Sequence, residues 1–296
     1  MKPYVVGFTI ARNAQKYDYP LVESIRSILP LCDEFVVSVG NSTDDTLKLV
    51  QSIQSDKIKI VHSVWDDSLQ KGGKVLAVET DKAFDAVSQF ADWAFYLQAD
   101  EVVHEKYHAN IRAAIEKYHT DQRVEGLLFN YKHFYGSYKY VGSSRRWYRH
   151  EIRLIRNNKH IRAYRDAQGF RLDGRKLNVK LIDAEIYHYG WVKNPVTMAT
   201  KDKEVYKLWS ADTSDNPSAS TPIKQYISYD YSNIDVLEVF KDTHPAVMQQ
   251  RIASVDWDFY WDTTKNQSKL SYRVLQFIEK LTGKRFFEYK NYSLLR

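Results

Sequence analysis

The chain has 296 residues, with 44% hydrophobic and 27% charged side chains and a formal net charge of +6. That much apolar side chain sustains a packed core and excludes wholesale disorder, and the length suits one large α/β domain or a domain with an appendage. The single cysteine, Cys32, excludes an internal disulfide and any cysteine-built zinc or iron–sulfur site from this chain alone, which suits a reducing compartment.

Tyr4 to Ile10 reads as a buried β-strand and Arg12-Asn13-Ala14 as polar loop. From Tyr19 to Leu29, Leu21, Ile25, Ile28 and Leu29 fall at helical spacing until Pro30 stops them. Glu34 to Val39 is a second strand, and Gly40 to Thr46 supplies small polar residues suited to a turn and to the N-cap of a helix over Leu47 to Ile53. Ile58 to Val64 is a third strand, Lys74 to Phe90 a helix, and Trp93 to Leu97 a strand buried on both faces that ends in Gln98-Ala99-Asp100-Glu101. This alternation implies parallel βαβ units, whose ligands sit beyond the carboxyl ends of the strands.

After a helix near Ala109 to Tyr118, strands are expected at 126–131, 152–155 and 184–188, with 135–149 a loop crowded with aromatics and arginines. From about Asn194 the pattern turns mostly helical, through Met198 to Trp209 and Leu270 to Leu281, around an Asp/Asn/Pro/Ser-rich break at 212–222. The expectation is thus residues 1–194 as one α/β domain and 195–296 as a mostly helical C-terminal extension. No apolar stretch approaches the ~18 residues of a membrane span and the start lacks a secretory apolar segment, so a cytoplasmic protein is expected.

Two phosphate motifs fail. Gly72-Gly73-Lys74 has Ser68 where the first glycine of a P-loop belongs and Val75 where its hydroxyl belongs, and no G-x-G-x-x-G follows the first strand. Acids and amides gather instead at the predicted strand ends. Asp100, placed directly after an apolar strand, would be costly to desolvate unless a metal or a hydrogen-bond donor met it; the plainer reading is a surface turn capped by acids.

Three segments carry a resemblance: Val6 to Asn13, Val36 to Thr46, and Trp93 to Glu101. Together they resemble the family-two glycosyltransferases of GT-A fold, over about the first hundred residues. Tyr187 to Lys193 is similar to the later segment that supplies a metal-binding histidine in some members. The resemblance implies a mixed, mainly parallel sheet flanked by helices, and sugar transfer from a nucleotide-diphosphate donor, UDP-type first, with inversion, to a saccharide or lipid-linked hydroxyl. It implies donor contacts at Thr9, Arg12, Asn13, Asn41 and Asp44. Asn41 departs from the family's usual aspartate, yet its amide can still accept from a base N–H. The D-x-D motif becomes Gln98-Ala99-Asp100, which loses one charge but keeps the position of the direct metal ligand.

A divalent ion would neutralise the leaving diphosphate, and an imidazole from His188 beside Asp100 would favour Mn²⁺ over Mg²⁺. His188 between Tyr187 and Tyr189 also fits an ordinary core histidine. An inverting enzyme needs a carboxylate base, for which Asp166 is the candidate and Glu151 and Asp173 the rivals; pairing of Asp166 with Arg162, Arg165 or Arg171 is its structural alternative. Arg145, Arg146 and Arg149 around Trp147 fit a diphosphate or acidic-acceptor clamp, or a solvated basic loop. The basic, apolar segment from Arg273 to Lys290 has the makings of an interfacial helix and of a peripheral membrane contact, although such stripes ordinarily pack against a core. A nucleotidyltransferase of similar fold and a non-catalytic binder of acidic glycan or nucleic acid are the competing functions. The scattered basic residues carry no RNA-binding signature, so no nucleic acid is expected.

Overall fold

The computed structural model describes residues 2–69, 71–210 and 227–295. Strand β1 (Val5–Ala11) is buried along its whole length and leads into α1 (Leu21–Ile28), whose Leu21, Ile25 and Ile28 repeat on the buried side. There follow β2 (Glu34–Val39), α2 (Thr46–Gln51), β3 (Ile58–His62), α3 (Lys74–Asp85) and β4 (Trp93–Tyr96). β1 pairs in parallel with both β2 and β4, and β2 with β3, so the order is β3-β2-β1-β4. The carboxyl ends of β1, β2 and β4 therefore open on one edge, as the βαβ reading requires.

Side chains alternate across these strands and split the core in two. Val5, Phe35, Val37, Trp93 and Phe95 face a layer that includes Leu21 and Ile25 of α1. Val6, Phe8, Val36, Ala94 and Tyr96 face Ala83 and Phe84 of α3. Each apolar residue removed from water contributes roughly 1.5–3 kcal/mol, which is what holds the helices to both faces.

The second half continues the sheet with mixed polarity. β5 (Glu101–Val103), α4 (His108–Tyr118), β6 (Gly126–Tyr135), β7 (Ser137–Gly142) and β8 (His150–Arg156) precede β9 (Ile161–Tyr164), β10 (Gly169–Leu172), β11 (Arg175–Lys176) and β12 (Asn178–Trp191). β8 is antiparallel to β4 and to β6, and β12 runs parallel to β6 and antiparallel to β5. β9, β10 and β11 make a separate three-stranded sheet. The expected loop over 135–149 contains β7, because the chain reverses at Gly136, with φ of 70°, and pairs back on β6.

Beyond residue 194 lie α5 (Pro195–Ser210), β13 (Leu237–Val239), α6 (Gln249–Ala253), α7 (Leu270–Thr282) and β14 (Ser293–Leu294). This segment, expected to be mostly helical, also gives two strands to the main sheet: β13 pairs with β7 and β14 with β12. The polar break expected at 212–222 lies outside the described residues. The architecture is an α/β fold with a mixed sheet flanked by helices, and among the described residues no helix is long and apolar enough to cross a membrane.

Candidate active site

A cavity of about 460 Å³ lies at the carboxyl ends of β1 and β4, lined among others by Arg12, Asn13, Gln98, Ala99 and Asp100. Its floor is tied together from below: buried Thr9 donates its hydroxyl to Leu97 O at 2.6 Å, so Thr9 holds β1 to the turn after β4 and is not part of the lining. That turn carries Asp100, and the next residue opens β5. The register of β5 against β12 sets Glu101 opposite His188, which brings Asp100 and His188 together across 88 residues of chain.

Asp100 Oδ2 lies 3.8 Å from His188 Nε2 and 3.3 Å from Lys201 Nζ. Burial pushes the Asp100 carboxyl up, but Lys201, His188 and Lys193 outweigh it and hold the group down to about 2. The imidazole is prepared for a cation by its own partner. Burial drives His133 and His188 below the usual histidine range, so both are neutral. His133 Nε2 must donate to Tyr148 O at 2.8 Å, leaving its Nδ1 to accept from His188 Nδ1–H at 3.1 Å. The lone pair of His188 therefore sits on Nε2, on the side of Asp100.

Gly190 completes the cradle. A Cβ on it would fall 2.7 Å from both Asp100 Oδ2 and His188 Nε2, so only glycine leaves the space open. Lys201 Nζ, which donates to Gly190 O at 2.9 Å, brings a cation to the same oxygens. One carboxylate oxygen and one imidazole nitrogen fit a divalent ion of the Mn²⁺ or Mg²⁺ kind, its remaining positions left to ligand oxygens and water. Among the described residues no group of three or more histidine, cysteine or acidic side chains converges for a metal, so a ligand has to supply the rest. Fully buried Lys193, pushed by burial down to about 7, sits beside this cluster and donates to Asp18 O at 2.6 Å.

At the other end, Arg12 grips Asp67 with two hydrogen bonds and lies 5.5 Å over the Trp65 ring. Trp65, Asp67, Tyr17, Tyr19 and Lys201 all line the cavity and carry no sequence signal of their own. Asn13 has φ of 54°; its side chain accepts from Thr43 N–H at 2.7 Å, fastening the loop after β1 to the loop after β2. Asp44 accepts from Lys16 N–H at 2.7 Å and from Thr46 N–H at 3.0 Å, and Asn41 accepts from Trp65 N–H at 3.1 Å. These two brace the loops around the cavity without lining it.

Asp166 does not line the cavity either. It stands between Arg165 and Ala167, both in the left-handed region at φ of 57° and 61°, a strained turn. Burial raises its pKa against hydrogen bonds from backbone N–H groups. Its turn is linked to the Asp100 turn through Arg153, which is wholly buried, donates to Gln168 O at 2.9 Å and grips Glu101 at 2.7 Å. Of the expected arginine partners, Arg162 pairs with Asp85 and Arg171 donates to Phe170 O and Asn291 O. Glu151 is buried with one oxygen lacking a partner, and Asp173 sits on the surface 3.1 Å from His160. The arginines of 145–149 are engaged elsewhere: Arg145 and Arg149 pair with Glu279, Arg149 also with Glu288, and Arg146 donates to Asn233 O. Trp147 stacks on His133 at 5.0 Å.

No family model and no curated protein matches the sequence. Among solved structures, the chain is similar to S. aureus TarS 1–349 in complex with UDP-GlcNAc, at 21% identity and TM-score 0.34 over 45% of this chain and 36% of that one. It is also similar to a 4-diphosphocytidyl-2C-methyl-D-erythritol synthase from Anaerococcus prevotii, at 10% identity and TM-score 0.35 over 53% and 73%. A third likeness is to glucosyl-3-phosphoglycerate synthase from Mycobacterium tuberculosis in complex with Mn²⁺, UDP and phosphoglyceric acid, at 18% identity and TM-score 0.29 over 45% and 43%. The chain thus spans little more than a third of that TarS chain. The strand order and register above, rather than these alignments, define the architecture.

Proposed function

We propose that this chain is a glycosyltransferase that takes a nucleoside-diphosphate sugar, UDP-type first, into the cavity at the ends of β1 and β4 and passes the sugar to a hydroxyl of a saccharide or lipid-linked acceptor. The observation that carries the reading is the Asp100 cradle: a desolvated carboxylate held ionised beside a lone-pair nitrogen, with a glycine keeping the space between them clear. A divalent ion, Mn²⁺ ahead of Mg²⁺, would be held by Asp100 and His188, and when bound it supplies positive charge to the leaving diphosphate. Lys201 adds a fixed ammonium at the same place. Arg12 and the aromatic rings of Tyr17, Tyr19 and Trp65 offer charge and stacking surface to nucleotide and sugar.

Asp166 is the proposed base. Its pKa, raised by burial, suits a group that must accept a proton. The acceptor oxygen bonds to the anomeric carbon as the carbon–oxygen bond to the diphosphate breaks, and the hydroxyl proton passes to the carboxylate. Attack from the face opposite the diphosphate inverts the centre.

The test is a thermal-shift series with nucleoside diphosphates and nucleotide-sugars, with and without Mn²⁺, because selective binding raises stability by mass action. A shift confined to one nucleotide family and enlarged by Mn²⁺ supports the reading; indifference to every nucleotide overturns it. Pyrophosphate release from a nucleoside triphosphate distinguishes a nucleotidyltransferase. Against that activity, the loop after β1 is fastened through Asn13 to Thr43 and has no glycines.

A further inference from the structure

Helix α7 meets the body of the protein along one mixed face, that of its half-buried residues Leu275, Gln276, Ile278 and Glu279. Glu279 pairs with Arg145 at 2.8 Å and Arg149 at 3.2 Å, and Gln276 donates to Ser143 O at 3.4 Å. Leu270, Val274, Phe277 and Leu281 recur at helical spacing, which aligns them in one stripe away from Glu279. They are 73%, 50%, 62% and 70% exposed, and no residue of the helix is buried. Past Gly283 the apolar row continues in Phe286 and in Phe287, which is 92% exposed with φ of 58°, an unusual conformation for a bulky side chain.

The charges around this stripe have one sign. Lys269, Arg273, Lys280, Lys284 and Lys290 are all exposed, whereas Glu279 and Glu288 are held against the body by Arg145, Arg149 and Arg285. A second copy of the chain docking here about a two-fold axis would set these cations against their own images. An anionic lipid surface instead meets both features, taking the apolar stripe into the headgroup boundary and the cations against its phosphates.

We propose that α7 with Phe286 and Phe287 is a docking surface for a bilayer containing anionic lipid, the helix lying in the plane of the interface. The inference stands apart from the transferase reading. The two share one support: the segment that receives Glu279 also stacks Trp147 on His133, the partner of His188.

Sedimentation of the full chain with vesicles tests it, comparing pure phosphatidylcholine with phosphatidylcholine containing phosphatidylglycerol. The expected result is binding to the anionic vesicles, weakened by salt and at least about tenfold weaker on neutral ones. Phe277→Glu with Leu281→Glu is expected to abolish binding, and Arg273→Gln with Lys280→Gln to weaken it about tenfold or more, with the far-ultraviolet spectrum and melting midpoint retained because these side chains point into solvent. Asp100→Asn is expected to bind vesicles like wild type, which separates this result from failure of the catalytic reading. Absence of binding to anionic vesicles overturns the proposal, as does a wild-type dimer that Phe277→Glu with Leu281→Glu converts to monomer without changing vesicle binding.

Discussion

Glu151 offers a sharp test of how the sheet is charged beneath the candidate site. The side chain is almost wholly buried, and burial, set against the attraction of Arg153, pushes its carboxyl up to about 8. Its Oε2 has no partner, nor has Asn291 Oδ1, and both residues lie against Gly169. An acid whose folded pKa is raised binds its proton more tightly in the fold, so its contribution to stability is full below the unfolded value of about 4.5. That contribution is lost progressively until the pH passes about 8. At about 1.36 kcal/mol per pH unit, holding the proton at neutral pH costs about 3 kcal/mol, most of it acquired above about pH 5. Glu151→Gln keeps the shape and removes the titration. Urea unfolding of both proteins is expected to show wild type losing about 2 to 3 kcal/mol relative to the variant between about pH 5 and pH 7. A difference that stays flat across that range would refute the argument, because the carboxyl would then be ionised in the fold.

Three further outcomes follow from named contacts. Arg153→Met takes the counter-ion from buried Glu101, leaving it only the hydrogen bonds from Tyr131 O–H and Gln98 N–H, and is expected to cost about 3 to 5 kcal/mol of stability by urea unfolding; a cost under about 1 kcal/mol would mean water reaches the pair. Gly190→Ala puts a methyl between Asp100 and His188 and is expected to erase the Mn²⁺ enhancement of nucleotide binding, measured by calorimetry, while metal-free nucleotide binding is retained and the melting midpoint falls as the crowded side chains shift; an intact enhancement would place the ion elsewhere. Asp166→Asn is expected to lower sugar transfer about 10²- to 10⁴-fold with donor affinity unchanged, and equal loss of both would mark Asp166 as a structural residue.

The first hundred residues were legible because each element there is set by local pattern. Strands as apolar as Val5–Ala11 and Trp93–Tyr96 have no other stable placement, and the polar turns between them mark their ends. Arg12, Asn13, Gln98 and Asp100 were found at the cavity for that reason. What sequence could not give was long-range register. Asp100 reaches His188 only because the three-residue β5 pairs with β12, and nothing in Glu101-Val102-Val103 announces that partner. Lys201 enters the cavity from α5 and Tyr19 from the loop before α1, positions that local pattern does not single out. The arginines at 145 and 149 fitted a phosphate clamp by type, yet their counter-ions are Glu279 and Glu288, more than a hundred residues away. β7, β13 and β14 were missed because short strands are defined by the edge they join.

The central claim is that Asp100 holds a cation shared with a diphosphate. Titration calorimetry of UDP into wild type and Asp100→Asn, each with and without Mn²⁺, tests it most directly. The account predicts that Mn²⁺ tightens UDP binding to wild type by at least about tenfold and leaves binding to Asp100→Asn unchanged, since removing one of two protein ligands removes the bridge. An equal Mn²⁺ effect in both proteins would contradict it.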